Sequence, residues 1–140
     1  MTKTFLDTTI IISAVTGRVL SSLWILEERD IERYTNEYVI KEVRRVLKKF
    51  QYNPEQINKV VEHVREKCLV LSTPSKEEIK KILIQDKSDR PIVYSAKKAG
   101  CILITDDGGL RRSGKKYVKT QGCERFYLDL LFKKRKKMNE

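Results

Sequence analysis

Two kinds of apolar run alternate along this chain. Lys3-Thr4-Phe5-Leu6 and Cys101-Ile102-Leu103-Ile104-Thr105 are short, and each runs directly into acid, Asp7 in one case and Asp106-Asp107 in the other. Their length and content predict short buried strands. Cys68-Leu69-Val70-Leu71-Ser72 predicts a third strand, Tyr117-Val118-Lys119 a fourth, and Tyr34-Thr35 a very short fifth.

The other runs have helical spacing. Val39, Val43, Val46, Leu47 and Phe50 recur with Lys and Arg interleaved, and Ile57, Val60, Val61 and Val64 recur after Asn53 as cap and Pro54 at the first helical position. Ser75-Lys76-Glu77-Glu78 matches a capping box ahead of Ile79, Ile82 and Leu83. Asp89-Arg90-Pro91 opens another helix that Gly100 ends, and residues 17–29, with Leu20, Leu23, Trp24 and Leu26, form a weakly capped one. Strands alternating with helices predict an α/β fold with a parallel sheet. Right-handed crossovers then set functional groups at the carboxyl edge of the strands.

The length of 140 residues suits one domain, and no repeat or low-complexity linker divides it. The domain is expected over 1–132, followed by a basic tail over 133–140. No stretch approaches the ~20 apolar residues of a membrane span. The first residues pass straight into Thr4-Phe5-Leu6 with no basic region before a long hydrophobic one, so a cytoplasmic location is expected. Cys68, Cys101 and Cys123 are odd in number and widely spaced, which suits buried thiols better than disulfides or zinc. The net charge of +11 makes the surface attractive to polyanions, nucleic acid above all.

Against that charge, four acids stand out: Asp7, Glu42, Asp89 and Asp107. Asp7 and Asp107 follow strands, so a parallel sheet brings them to one edge. Glu42 lies at the border of the apolar stripe of Val39, Val43 and Val46, and Asp89 at a helix start. Each has a plainer reading: a turn for Asp7, a cap for Asp89, a solvated helix face for Glu42, and an Asp-Gly turn for Asp106-Asp107-Gly108-Gly109. Carboxylates gathered in apolar surroundings need compensation, and several at one point suit a hard divalent cation. Such a centre inside a cationic protein is the arrangement of a nuclease.

The same residues carry a resemblance. Phe5-Leu6-Asp7-Thr8-Thr9-Ile10-Ile11-Ile12-Ser13 resembles the opening motif of PIN-domain ribonucleases, with Thr9 where Asn is usual. Glu42 in Val39-Ile40-Lys41-Glu42-Val43 is similar to their second acid. Asp89-Arg90-Pro91-Ile92-Val93-Tyr94-Ser95-Ala96 resembles the third block, and Ile104-Thr105-Asp106-Asp107-Gly108-Gly109-Leu110 the fourth, with Asp107 as the aligned acid. The resemblance implies a three-layer α/β/α sandwich around a mostly parallel sheet and an endoribonuclease using Mg²⁺ or Mn²⁺. Many relatives are toxins of toxin–antitoxin pairs, akin to VapC, and others process RNA. An antitoxin partner and a homodimer are implied in the same way.

The expected chemistry is metal-assisted phosphodiester hydrolysis, with Asp7, Asp89 and Asp107 holding the cation and Glu42 completing the position. Asp86, Asp106, Thr105 and Thr9 are expected to support them. RNA is expected along Arg111, Arg112, Lys115 and Lys116, with Lys133-Lys134-Arg135-Lys136-Lys137 either extending the track or simply solvated. His63 is expected to be an ordinary surface residue. The rival reading is a non-catalytic RNA-binding module of the same fold.

Overall fold

The computed structural model describes residues 1–17 and 20–139. Residues 18 and 19, inside the helix expected over 17–29, and Glu140, at the end of the expected tail, lie outside the described residues. In chain order the elements are β1 Thr2–Leu6, α1 Thr8–Thr16, α2 Leu20–Leu23, β2 Ile31–Asn36, α3 Glu37–Lys49, α4 Pro54–Lys67, β3 Leu69–Leu71 and α5 Lys76–Ile79. A 3-10 turn, Lys87–Asp89, leads into α6 Arg90–Ala99, β4 Ile102–Ile104, α7 Gly108–Gly114, β5 Thr120–Gln121 and α8 Cys123–Met138.

The strands form one sheet in the order β3-β2-β1-β4-β5. Every pairing is parallel, with Thr4 opposite Arg33 on one side of β1 and opposite Ile102 on the other. Neighbouring residues on a strand point to opposite faces. Phe5 and Leu6 are both fully buried, as are Leu103 and Ile104, so both faces of the sheet are covered. This is a three-layer α/β/α sandwich. The chain builds outward from β1 to β3 and then returns to place β4 on the other side of β1. The crevice beyond the carboxyl ends of β1 and β4 is therefore the topological switch point, where open α/β sheets bind ligands.

Several helix signals act as the pattern requires. Asn53 and Ser75 each complete a capping box, with Gln56 and Glu78 reaching back to the cap amides. Gly100 closes α6 at φ +70, a left-handed conformation that glycine adopts without strain. Arg33 binds the carbonyls of Ile25, Glu28 and Lys67, tying the α2–β2 connection to the end of α4.

Other expectations need correction. The strand expected over Tyr117–Lys119 is instead Thr120–Gln121, β5, because the amides of Tyr117 and Val118 both turn back to the Gly114 carbonyl. Tyr34-Thr35 belongs to a six-residue strand, β2. The capping box at Ser75 opens only one turn, ending at Ile79; Ile82 is buried, but Leu83 is 81% exposed. Phe50 caps α3 rather than extending its buried stripe. Of the helix expected over 17–29, the described part is α2 alone, which stops before Trp24. The segment 8–16, to which the pattern assigns no element, is α1, and the Asp107-Gly108-Gly109 turn opens α7. The boundary placed at 132/133 falls inside α8. Lys134 there bridges Glu28 at 2.8 Å and Asp30 at 3.0 Å.

Candidate active site

Asp7 is the most buried acid at the switch point, 3% exposed. It follows β1 and caps α1, its Oδ1 accepting from the Ile10 amide at 3.2 Å and the Thr9 hydroxyl at 2.6 Å. Its Oδ2 accepts from the Thr105 hydroxyl at 2.6 Å. Register explains the last contact, since Leu6 pairs with Ile104 and the next residue on each strand is Asp7 and Thr105. Burial pushes the Asp7 carboxyl up to about 6, opposed by these hydrogen bonds.

Thr105 joins the two strand ends. Its oxygen also accepts from the Asp107 amide at 3.1 Å. Asp107 in turn caps α7, Oδ1 accepting from Gly109 at 2.9 Å and Leu110 at 3.3 Å. Asp107 thus stays in the crevice, on the surface, with its carboxylate turned to its own helix.

Asp89 arrives from the other side. It precedes α6 and makes no side-chain cap, so the capping explanation for it fails. Burial raises its pKa to about 6, aided by the charges of Asp86, Asp107, Asp7 and Glu42. Asp89 thus feels four other acids, three of them from separate stretches of chain. Glu42, on α3, is about one-third exposed and leans towards Arg45 at 3.5 Å.

The supporting acids divide. Asp86 caps the 3-10 turn, its Oδ1 taking the Ser88 amide and hydroxyl, but its charge is still felt at Asp89. Asp106 is turned away, its Oδ1 accepting from the Cys123 amide at 3.0 Å at the start of α8. Thr9 is exposed, donates to Asp7 and accepts from the Asp106 amide at 3.3 Å. Arg111 is committed in part to the framework, donating to the Thr105 carbonyl at 2.9 Å. Arg112, Lys115 and Lys116 are exposed beside it. His63 lies away from the acids, 3.4 Å from Glu27.

Two residues of the crevice carried no signal in the apolar pattern. Tyr38 sits one helical turn before Glu42, and burial with the charges of Glu42, Asp86 and Asp89 raises its pKa. Asn36 is fully buried; it caps α3 through the Val39 amide and donates to the Pro91 carbonyl and the Ser95 hydroxyl, pinning α6 beside β2. Spacing four residues ahead of an acid marks Tyr38 as a candidate, and an Asn closing a strand marks Asn36 as a cap.

A hard divalent cation fits this donor set in chemistry, since the groups are carboxylates and the charges of four of them act on Asp89. The side chains are not drawn together as ligands, contrary to the convergence expected of them. Among the described residues, no group of three or more His, Cys, Asp or Glu is placed to hold a metal ion. The hydrogen bonds give the reason: both oxygens of Asp7 and Oδ1 of Asp107 face hydroxyl or amide donors. Cys68, Cys101 and Cys123 are buried free thiols, and burial raises the pKa of each. No helix of the described residues is long and apolar enough to cross a membrane.

The PIN domain family profile matches residues 4–116. No curated protein matches the chain. Among solved structures, VapBC2 from Rickettsia felis, bound to a DNA fragment from its promoter, superposes with a TM-score of 0.68 at 15% identity, covering 86% of this chain and 98% of that one. PAE2754 from Pyrobaculum aerophilum gives 0.68 at 17% identity over 93% and 90%. The PIN domain endonuclease Utp24 gives 0.55 at 14% identity over 86% and 84%.

Proposed function

This chain belongs to the PIN-domain family, and we propose that its acidic crevice hydrolyses phosphodiester bonds of RNA with Mg²⁺ or Mn²⁺. The observation that carries this reading is the nearness of Asp7, Glu42, Asp86 and Asp107 to the half-buried Asp89, close enough for their charges to act on it. A cluster that repels itself at neutral pH is a standing attraction for a cation. Asp7, Asp89 and Asp107 would hold the ion, with Glu42 completing the position. When bound, such an ion acidifies a water and offsets charge developing on the phosphate.

The chain's own groups do the rest. Thr105 and Thr9 fix the rotation of the Asp7 carboxylate, so that its geometry does not depend on a loop. Glu42 sits on the face of α3, held at 3.5 Å by Arg45, a partner that a bound cation would replace. The +11 charge raises the local concentration of RNA, and Arg112, Lys115 and Lys116 stand ready at the rim, with Arg111 contributing its remaining donors. The test is cleavage of labelled RNA with Mn²⁺ and with EDTA, using the natural protein and Asp7→Asn. Cleavage that needs both the metal and Asp7 supports the reading; metal-independent binding without cleavage supports the non-catalytic RNA-binding module instead. The open arrangement of the acids favours that second reading.

The solved neighbours include VapBC-1 from nontypeable Haemophilus influenzae and FitAB bound to DNA, which suggests a toxin role and an antitoxin partner here. Growth arrest on expression, relieved by a small protein encoded beside it, is the expected behaviour of a toxin. An RNA-processing nuclease would produce no such arrest. A homodimer in the cytoplasm is part of the same proposal, to be checked by sedimentation of the purified chain.

A further inference from the structure

On the face of the sheet covered by α6 lies a cavity of about 360 Å³, within the size range of small-ligand sites. Lys3 of β1 and Tyr34 of β2 form part of its floor, and Tyr94, Lys98 and Ala99 of α6 part of its wall. It meets the second half of α6, whereas Asp89 precedes that helix. At ~1.5 Å per residue the two are separated by roughly 8–15 Å along the axis. The space exists because α6 turns small side chains, Ser95 and Ala99, towards it one turn apart.

The lining has a definite chemistry. Lys3 Nζ lies 5.0 Å from the centroid of the Tyr34 ring, and Lys98 Nζ lies 5.9 Å from that of Tyr94. Glu78 is the acid in the lining, and its Oε2 already accepts from the Tyr94 hydroxyl at 2.5 Å and Lys98 at 3.3 Å. Lys3 makes no salt bridge among the described residues. Two ammonium groups against one engaged carboxylate leave the cavity positive, and two phenol rings give it flat apolar surface. Each half alone, a lysine resting on a tyrosine, is common on protein surfaces. Two such pairs bordering one half-open cavity make a site.

The geometry points to a binding site for a planar, phosphate-bearing small molecule, a nucleoside monophosphate, with its base against the tyrosines and its phosphate met by Lys3 and Lys98. This stands apart from the acidic crevice and does not depend on its activity. The same chemistry is carried by a free mononucleotide and by the terminal nucleotide of a strand, and only the latter would compete with long RNA.

The experiment is a titration of the full chain in EDTA with AMP, followed by amide NMR and calorimetry, with adenosine, inorganic phosphate and an RNA strand as separate arms. Saturable AMP binding is expected, with shifts centred on Tyr34, Leu71 and Tyr94 to Ala99. Adenosine and phosphate alone should each bind about tenfold or more weaker, since each lacks half of the recognition. Lys3→Gln should weaken AMP about tenfold by removing one charge-assisted contact. Ala99→Met should fill the cavity and abolish binding without lowering Tm. If that variant unfolds, Lys98→Gln with Lys3→Gln carries the test. Absence of saturable AMP binding, shifts centred on Asp7 and Thr105, equal binding of bare phosphate, or indifference to Lys3→Gln would each overturn the proposal.

Discussion

The Thr105 hydroxyl donates to Oδ2 of Asp7 across 2.6 Å, between residues 98 positions apart. It joins the ends of two adjacent parallel strands and fixes the most buried acid of the crevice. Thr105→Val keeps the side-chain shape and deletes the donor. The Asp7 carboxyl should then titrate above its present value of about 6, because a hydrogen bond to the charged form is gone. The Asp107 amide loses its acceptor as well. A destabilisation of about 1–3 kcal/mol is expected, with RNA cleavage falling, and Thr105→Ser should restore both. Carbon-detected titration of Asp7 and urea unfolding would show this. An unmoved titration would refute the role assigned to Thr105.

The raised pKa of Asp7 makes the site costly to the fold at neutral pH. Its folded value of about 6 exceeds the ordinary aspartate value of 3.8, so between those pH values the folded state binds more protons than the unfolded one. The carboxyl therefore favours folding at low pH, and that advantage is lost as pH rises through this window. A shift of this size corresponds to about 3 kcal/mol. Asp7→Asn in EDTA should be more stable than the natural protein at pH 7 and gain little at pH 4. It should also lower the Asp89 pKa, which the Asp7 charge helps to raise. Equal stabilisation at both pH values would show that the variant acts by packing instead.

Divalent metal should act in the opposite direction to pH. Adding Mn²⁺ to protein stripped with EDTA should raise Tm, by about 2.7 kcal/mol of stability at a hundredfold excess over Kd. The gain should be small below pH 5 and grow as Asp7 and Asp89 ionise through about 6. Asp89→Asn should remove most of it. Stabilisation by Mn²⁺ that is independent of pH and survives Asp89→Asn would place the ion elsewhere.

Much of the frame was legible in the chain because its signals are local. The caps at Asn53 and Ser75 and the stop at Gly100 act as their residue types require. The buried strands ending in Asp7 and Thr105 follow from short apolar runs. What was hidden depends on tertiary context. The run Thr8–Thr16 is rich in β-branched residues, yet burial of Ile10 and Ile11 and a cap from Asp7 make it helix α1. The last strand is only two residues long, too short for any periodicity. Spacing also cannot report where a carboxylate turns: Asp106 and Asp107 are adjacent, yet one caps α7 and the other serves the start of α8.

The basic residues around α7 should separate into framework and contact. Arg111 donates to the carbonyl of buried Thr105, so Arg111→Gln leaves that oxygen short of a partner and should lower Tm. Arg112 and Lys115 are exposed and without a salt bridge among the described residues. Arg112→Gln with Lys115→Gln should leave Tm within ~0.5 kcal/mol of the natural value, as surface changes usually do. The pair should instead weaken RNA, and the salt dependence should report why. Each phosphate contact to a single strand contributes about 0.7 to the slope of log K against log salt, so losing two should reduce the slope by about 1.4. Anisotropy titrations of a labelled strand in EDTA, over a range of salt, measure it without cleavage intervening. An unchanged slope would move the RNA off α7, leaving the exposed Lys41, Arg45 and Lys48 of α3 as the next basic face beside Glu42.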